Sequence, residues 1–600
     1  MTALLNDRDI DFLLYEFLDT EALLSRPRYR EYNRETLKAT LGTAKTIAQK
    51  FFANHNAKGD ANEPTFDGQN VHLIPETKLA WDAFAEAGFL AAHYSFEEGG
   101  MQLPEIVLRA AMCYINAANV STSGYPFLTI GAGNLIQSFG SIEQKRRFLE
   151  PMKTGRFAGT MALTEPGQGS ALADIKTKAV RMPDDTYRLF GQKMFISGGD
   201  HNLTENIVHM VLARIEGAPA GTKGISMFIC PKILVDHQGQ LAERNDVALA
   251  GLLHKMGYRN TASTVLNFGE KEGAVAYLVG EPHKGLSYMF QLMNEARIGV
   301  ALGAASLAYQ GFNYSLDYAK QRPQGRRVTN KDATSPQVPI IEHADVRRML
   351  LAQKAYAEGG LALCFYASSL FEDSRTGETA ESRKRAELLL DLLTPMVKSW
   401  PSKYGVKANE LAIQVLGGSG YIREYPVEQY YRDNRLNPIH EGTEGIQALD
   451  LLGRKVLQND SEGYNLFERM LSNTIQEASK VAELNDMTEQ LSEALDRLSH
   501  VTLTLTSELS RNPERALANA SVYLDMFGRI VVAWLWLKQG MTAQCALKDK
   551  ALSQDEQNFY AGKLQAARYF LTWELPETQY QSQLLLSLND VTLTMQPEWF

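Results

Sequence analysis

Cysteine is scarce in this chain: four residues among 600 (Cys113, Cys230, Cys364, Cys545), far apart and each within an apolar run. No Cys-x-x-Cys pair and no Cys/His cluster is present, which argues against a zinc or iron–sulfur site, so no metal site is expected. The four read as buried thiols of a reducing compartment, and the expected location is cytoplasmic. An excess of basic charge is also missing. Sixty-one Lys and Arg face 70 Asp and Glu, a net charge of −9, which disfavours a nucleic-acid partner. No apolar run is long enough to span a bilayer. The nearest, residues 530–537, reads as a core helix and leaves at most a peripheral membrane contact. The N-terminus lacks a basic region followed by an uninterrupted apolar stretch, so no signal peptide is expected. Internal repeats and low-complexity tracts are absent too.

What remains is ordinary for a soluble globular chain, with 44% hydrophobic and 22% charged residues. Six hundred residues exceed one hydrophobic core, so several packed units are expected. Residues 1–158 show helical spacing, notably at 34–52, 78–89 and 133–152. From 159 to 282 the runs turn β-rich, read as a small antiparallel barrel or sandwich. Helical spacing returns over 283–457, a polar joint is expected at 458–463, and residues 465–600 form a further helical region. The fold class is mostly α with an inserted β-domain.

Two segments of the β-region carry candidate chemistry. Met161-Ala162-Leu163-Thr164-Glu165-Pro166-Gly167-Gln168-Gly169-Ser170 is a strand entering a tight turn, whose N–H groups and hydroxyls suit a flat heterocycle or a phosphate. Taken alone it reads first as a plain hairpin loop, and it lacks the Gly-x-Gly-x-x-Gly of a Rossmann site. Lys193-Met194-Phe195-Ile196-Ser197-Gly198-Gly199 sets an aromatic and a hydroxyl two residues apart, on one side of a regular strand. Such a pair could wall in a flavin ring; a core aromatic is the plainer alternative. Later, the glycine-rich turn Gln414-Val415-Leu416-Gly417-Gly418-Ser419-Gly420-Tyr421 precedes Ile439-His440-Glu441-Gly442-Thr443-Glu444-Gly445-Ile446-Gln447. A carboxylate followed by Gly-Thr at a helix entry suits a base that removes a proton beside a carbonyl and steadies the enolate with a backbone N–H. Glu-Gly-Thr strings also occur in solvated loops.

Together these pieces resemble the acyl-CoA dehydrogenase family, in that family's order, over about residues 85–455. Lys255-Met256-Gly257, Arg297, Arg322, Glu424-Tyr425-Pro426-Val427-Glu428 and Arg432-Asp433 extend the match. The run Ile196-Ser197-Gly198-Gly199-Asp200-His201-Asn202-Leu203-Thr204-Glu205-Asn206-Ile207 and the helical region after residue 460 resemble a longer bacterial subgroup. Its members include enzymes for straight-chain fatty acyl-CoAs and for 3-methylthiopropanoyl-CoA. The resemblance implies an N-terminal helical domain, a β-barrel, a C-terminal four-helix bundle and an additional helical domain.

It also implies roles. FAD would lie against backbone groups of Met161 and Leu163, with Thr164 and Gly169 nearby. Phe195, where tryptophan is frequent, would shield the ring beside Ser197, where threonine is frequent. Arg322 would reach the pyrophosphate, Thr443 would also contact the cofactor, and Gln414, Gly417 and Gly418 would approach the adenine end from a neighbouring subunit, hence a homodimer at least. Ser170 and Arg297 would line the coenzyme A route. Glu441 would be the catalytic base, its pKa raised by burial, taking the α-proton while a hydride leaves the β-carbon for FAD. The alternative base position in the family corresponds to Ala296, and Glu295, about 100° round the helix, should point elsewhere. His440, Gly445 and Asn294 depart from the family's usual tyrosine, glutamine and acidic residue.

The expected function is thus FAD-dependent oxidation of a saturated acyl-CoA, medium-to-long and straight-chained, to a trans-2-enoyl-CoA in β-oxidation. Electrons would pass to an electron-transferring flavoprotein. Alternatives are a 3-methylthiopropanoyl-CoA dehydrogenase, an acyl-CoA oxidase, and a DNA-binding flavoprotein of the same fold, the last opposed by the mixed charge of residues 465–600.

Overall fold

The computed structural model describes residues 3–330 and 332–600. The chain divides into two compact units. One comprises Glu35–Pro104 and Tyr114–Gly299, the other Met1–Arg34, Glu105–Cys113 and Val300–Phe600.

The first of these units begins with helices. α1 (Arg34–Ile47) buries Leu37, Leu41, Ala44 and Ile47, one stripe at three- and four-residue spacing. α2 (Pro75–Glu86) and α3 (Glu105–Phe139) follow. α3 kinks at Asn119, whose φ of −165° and ψ of 89° break the helix, and the Asn119 side chain accepts from the Thr122 N–H at 2.9 Å to restart it. The helical pattern over 133–152 is two helices rather than one. Gly140 ends α3, and Ser141 with Gln144 forms a capping box that opens the next helix.

Eight strands build the main sheet of the β-domain: β1 (Phe157–Ala162), β2 (Lys178–Arg181), β3 (Tyr187–Ser197), β4 (Asn206–Ile215), β5 (Ile225–Pro231), β6 (Val247–Leu252), β7 (Ser263–Phe268) and β8 (Ala274–Leu278). β3 pairs β8, β8 pairs β5, β5 pairs β4, β4 pairs β2 and β2 pairs β3, which closes a five-strand ring. The purely antiparallel expectation needs correction, because β4 runs parallel to both β1 and β2. β4 is buried along Asn206–Ala213 because each of its faces meets a different core. Val211 and Ala213 join Leu189, Ile196 and Phe228 inside the barrel. Val208, Met210 and Leu212 face a cluster with Leu135, Phe148 and Met152 of the helices.

In the other unit, α4 (Gly285–Gln321, its residues from Val300 onward), α5 (Ala344–Thr376) and α6 (Ala380–Leu416) are long helices, and α5 and α6 are buried over most of their length. α7 (Glu444–Asp450) leads to α8 (Gln458–Ala478), whose Asn459, Asp460 and Ser461 are left-handed. The expected joint at 458–463 is therefore a local reversal of twist at a helix start. α9 (Asn485–Leu509), α10 (Ala520–Ala546) and α11 (Gln554–Tyr569) complete the last region. α10 is long and apolar enough to cross a membrane, yet residues 530–537 are all buried in the protein, and it carries Arg529, paired with Glu574 at 3.0 Å. Three cysteines are buried as expected; Cys545, near the end of α10, is exposed.

Candidate active site

In the unit that holds the barrel, the segment after β1 is a two-residue turn. Glu165 and Gln168 exchange backbone hydrogen bonds at 3.0 Å in both directions, with Pro166 and left-handed Gly167 (φ +87°) between them, the residues such a turn demands. The plain hairpin is thus real, and it is also strongly fixed. The buried Glu165 carboxylate accepts from the Lys176 N–H (2.6 Å), the Thr177 N–H (3.0 Å) and hydroxyl (2.6 Å), and Lys193 Nζ (2.9 Å). Burial opposes its ionisation, but these partners, Lys193 foremost, hold it below the usual carboxylate range. Lys193, fully buried, is pulled down to about 8 by burial against the attraction of Glu165, and also donates to the Leu163 carbonyl at 2.9 Å. A salt bridge inside β-structure therefore locks the backbone of Leu163–Glu165, leaving Gly169 and Ser170 exposed beyond the turn.

Phe195 departs from the regular strand assumed above. Pairing between β7 and β3 slips between Thr264↔Ile196 and Leu266↔Lys193, a β-bulge, and Phe195 lies in it at φ +58°. Burial along β3 consequently shifts from odd residues (Tyr187, Leu189, Lys193) to Ile196. The bulge and the positive φ re-aim the Phe195 ring. It is 61% exposed, a large flat apolar surface on offer where a core aromatic would be hidden. An exposed ring on strained backbone, beside a pinned turn followed by exposed Gly169 and Ser170, fits a flat heterocycle such as FAD. On α4, Glu295 accepts from Asn134 Nδ2 at 2.7 Å, and Arg297 is buried.

In the other unit, Glu441 lies at φ +52° and Gly442 at φ +86°. Gly442 suits this position because L side chains rarely adopt a φ of +86°, and a Cβ there would come 2.5 Å from Gln447 Nε2 and displace that side chain. Thr443 caps α7, its hydroxyl accepting from the Ile446 N–H at 3.4 Å. Glu441 is exposed within its own unit. Arg322, directly after α4, is exposed as well. At the end of α6, Gln414, Gly417 and Gly418 are exposed, and a Cβ added at either glycine would meet nothing within 4 Å. Lys398, Gln447, Lys193 and the Glu165 carboxylate had no role in the sequence reading. The signal for each lysine was a cation inside an apolar run; for Gln447 there was none.

Sequence models of the acyl-CoA dehydrogenase N-terminal, middle and C-terminal domains match residues 34–156, 160–270 and 283–457, and one described as acetyl-CoA dehydrogenase C-terminal like matches 467–596. The chain is 34% identical to the 3-methylmercaptopropionyl-CoA dehydrogenase of Ruegeria pomeroyi, over 98% of both proteins. It is also 34% identical to the broad-specificity linear acyl-CoA dehydrogenase FadE5 of Mycobacterium tuberculosis, over 98% of this chain and 97% of that one. Among solved structures, Caenorhabditis elegans ACDH-11 in complex with C11-CoA superposes with a TM-score of 0.75 at 19% identity, covering 94% of this chain and 93% of that one. An acyl-CoA dehydrogenase complexed with FAD from Bacillus anthracis gives 0.73 at 20% identity, covering 97% and 93%. With all four segments matched in order and full-length relatives above 30% identity, this chain belongs to the acyl-CoA dehydrogenase family, flavin-dependent oxidoreductases acting on CH–CH bonds.

Proposed function

We propose that the chain oxidises a medium-to-long straight-chain acyl-CoA to the trans-2-enoyl-CoA, with Glu441 as base. The observation that carries this reading is the backbone at Glu441: a glutamate held left-handed, followed by a glycine whose φ of +86° disfavours a side chain. Strain of this kind is retained where geometry serves function. The Glu441 carboxylate takes the proton from the carbon beside the thioester, and its backbone N–H steadies the carbonyl oxygen as charge develops. Bound FAD supplies the acceptor for the hydride leaving the β-carbon. Thr164, Phe195, Ser197 and the backbone of Met161 and Leu163 would hold its ring, and Arg322 its pyrophosphate. The residues at Gln414, Gly417 and Gly418 would serve a second subunit, so a homodimer is part of the proposal.

An electron-transferring flavoprotein is the proposed electron acceptor, and the cytoplasm the proposed location. A second reading, oxidation of 3-methylmercaptopropionyl-CoA, is supported by the equal 34% identity to an enzyme of that name. A methylene or thioether in an apolar pocket changes binding by only about 1 kcal/mol, so residue types do not choose between them. Anaerobic flavin bleaching against acyl-CoAs of increasing length, together with the methylthio substrate, does. Glu441→Gln should keep FAD and bind acyl-CoA while abolishing bleaching. Normal bleaching in that variant would remove the base from the proposal.

A further inference from the structure

The turn carrying Glu441 is costly backbone. A glutamate at φ +52° is strained and persists only when its surroundings hold it. Three groups of the same unit do so. Thr443 caps α7. Gln447, fully buried, donates Nε2 to the Glu441 carbonyl at 3.1 Å. Lys398, on α6 and fully buried, donates Nζ to the Gly442 carbonyl at 2.6 Å.

The last contact stands apart. A hydrogen bond from a buried ammonium to a carbonyl is charge-assisted and stronger than one from a neutral donor. Its helix is rigid: α6 is buried through residues 392–402, and Trp400 stacks on Tyr404 with ring centroids 4.6 Å apart. Lys398 therefore projects a fixed charge from a fixed helix onto the Gly442–Thr443 peptide, one residue beyond the base.

We infer that Lys398 is the positioning residue of the catalytic base: by fixing the Gly442 carbonyl it sets the orientation of the turn, and with it the direction of the Glu441 side chain and backbone N–H. The inference rests on Glu441 being the base. The neighbouring histidine is consistent with a cation at this place. Desolvation, with the charge of Lys398 added, pushes the His440 imidazole down to about 3, so it stays neutral and bonds Asn437 Oδ1 at 3.1 Å. His440 therefore adds no positive charge beside Lys398.

The test uses FAD-loaded enzyme, stopped-flow bleaching and a panel acyl-CoA that reduces the wild type. Lys398→Met should retain FAD and acyl-CoA binding while bleaching slows on the order of 10²-fold, the scale of a misplaced reacting group. The loss should lie in the limiting rate rather than in half-saturation. The pH profile of that rate should move, and Lys398→Arg should recover much of it. Wild-type bleaching by Lys398→Met, or a loss confined to half-saturation, overturns the inference. If Lys398→Met does not fold, Lys398→Gln, which keeps a donor but neither charge nor reach, takes its place with the same two outcomes. Glu441→Gln separates the claims: if it bleaches, the base assignment fails; if it is inert while Lys398→Met bleaches normally, only the role of Lys398 fails.

Discussion

Glu441 and Phe195 share a backbone property that their side chains do not explain, since both sit at positive φ. Such residues are uncommon away from glycine, and here two of them coincide with a candidate base and a candidate flavin wall. Gly442→Ala tests the first. The new methyl would strike Gln447 Nε2 and strain a φ of +86°. Stability should fall by about 1–2 kcal/mol, read as a lower thermal midpoint, with slower flavin bleaching. A second prediction concerns His201 and His209, both buried and held down to about 3, first by burial and then by Lys232. Below pH 6.5 the unfolded chain protonates these rings while the folded one does not. Stability is therefore complete above pH 6.5 and falls as pH drops toward 3, by up to roughly 1.4 kcal/mol per pH unit for each ring. His209→Gln should flatten the dependence of the thermal midpoint on pH between 4 and 6; an unchanged slope would refute the buried neutral ring.

Secondary-structure elements supply the next scale, and β3 is the informative one. Its alternation of buried and open residues is legible in sequence, but the bulge at Met194–Phe195 is not, because it arises from pairing with a strand about 70 residues away. A periodicity argument assumes the regular pleat and so misses the positive φ that re-aims Phe195. The same strand carries Lys193, whose salt bridge to Glu165 pins the turn after β1. Lys193→Met would strand a buried carboxylate, at a cost of roughly 3–5 kcal/mol. It should lower thermal stability and FAD retention together on gel filtration. Full FAD content would show that the turn does not depend on this pair. The break at Gly140–Ser141 teaches the same lesson: helical spacing continued to 152, and the capping box that divides it was written in Ser141 and Gln144.

At the scale of the whole molecule, the last helical region is bound to its own unit by buried charge. Lys563 on α11 meets Asp9 of the N-terminal segment and, at 2.9 Å, Glu358 on α5, with all three side chains buried. Burial alone would lower the Lys563 pKa, but the two carboxylates outweigh it and keep the ammonium charged. Lys563→Met should cost roughly 3–5 kcal/mol by leaving two carboxylates facing each other, seen as an earlier unfolding transition. Adding Asp9→Asn and Glu358→Gln should recover much of the loss. Sequence alone determined which chemistry this chain carries. Local strings such as Thr164-Glu165-Pro166-Gly167 and Glu441-Gly442-Thr443 encode their turns through glycine, proline and a capping threonine within a few residues. Tertiary structure alone decided what holds those turns in place. Lys193, Lys398 and Lys563 find their partners 28, 44 and hundreds of residues away, and the pairing of buried charges depends on where distant helices and strands come to lie.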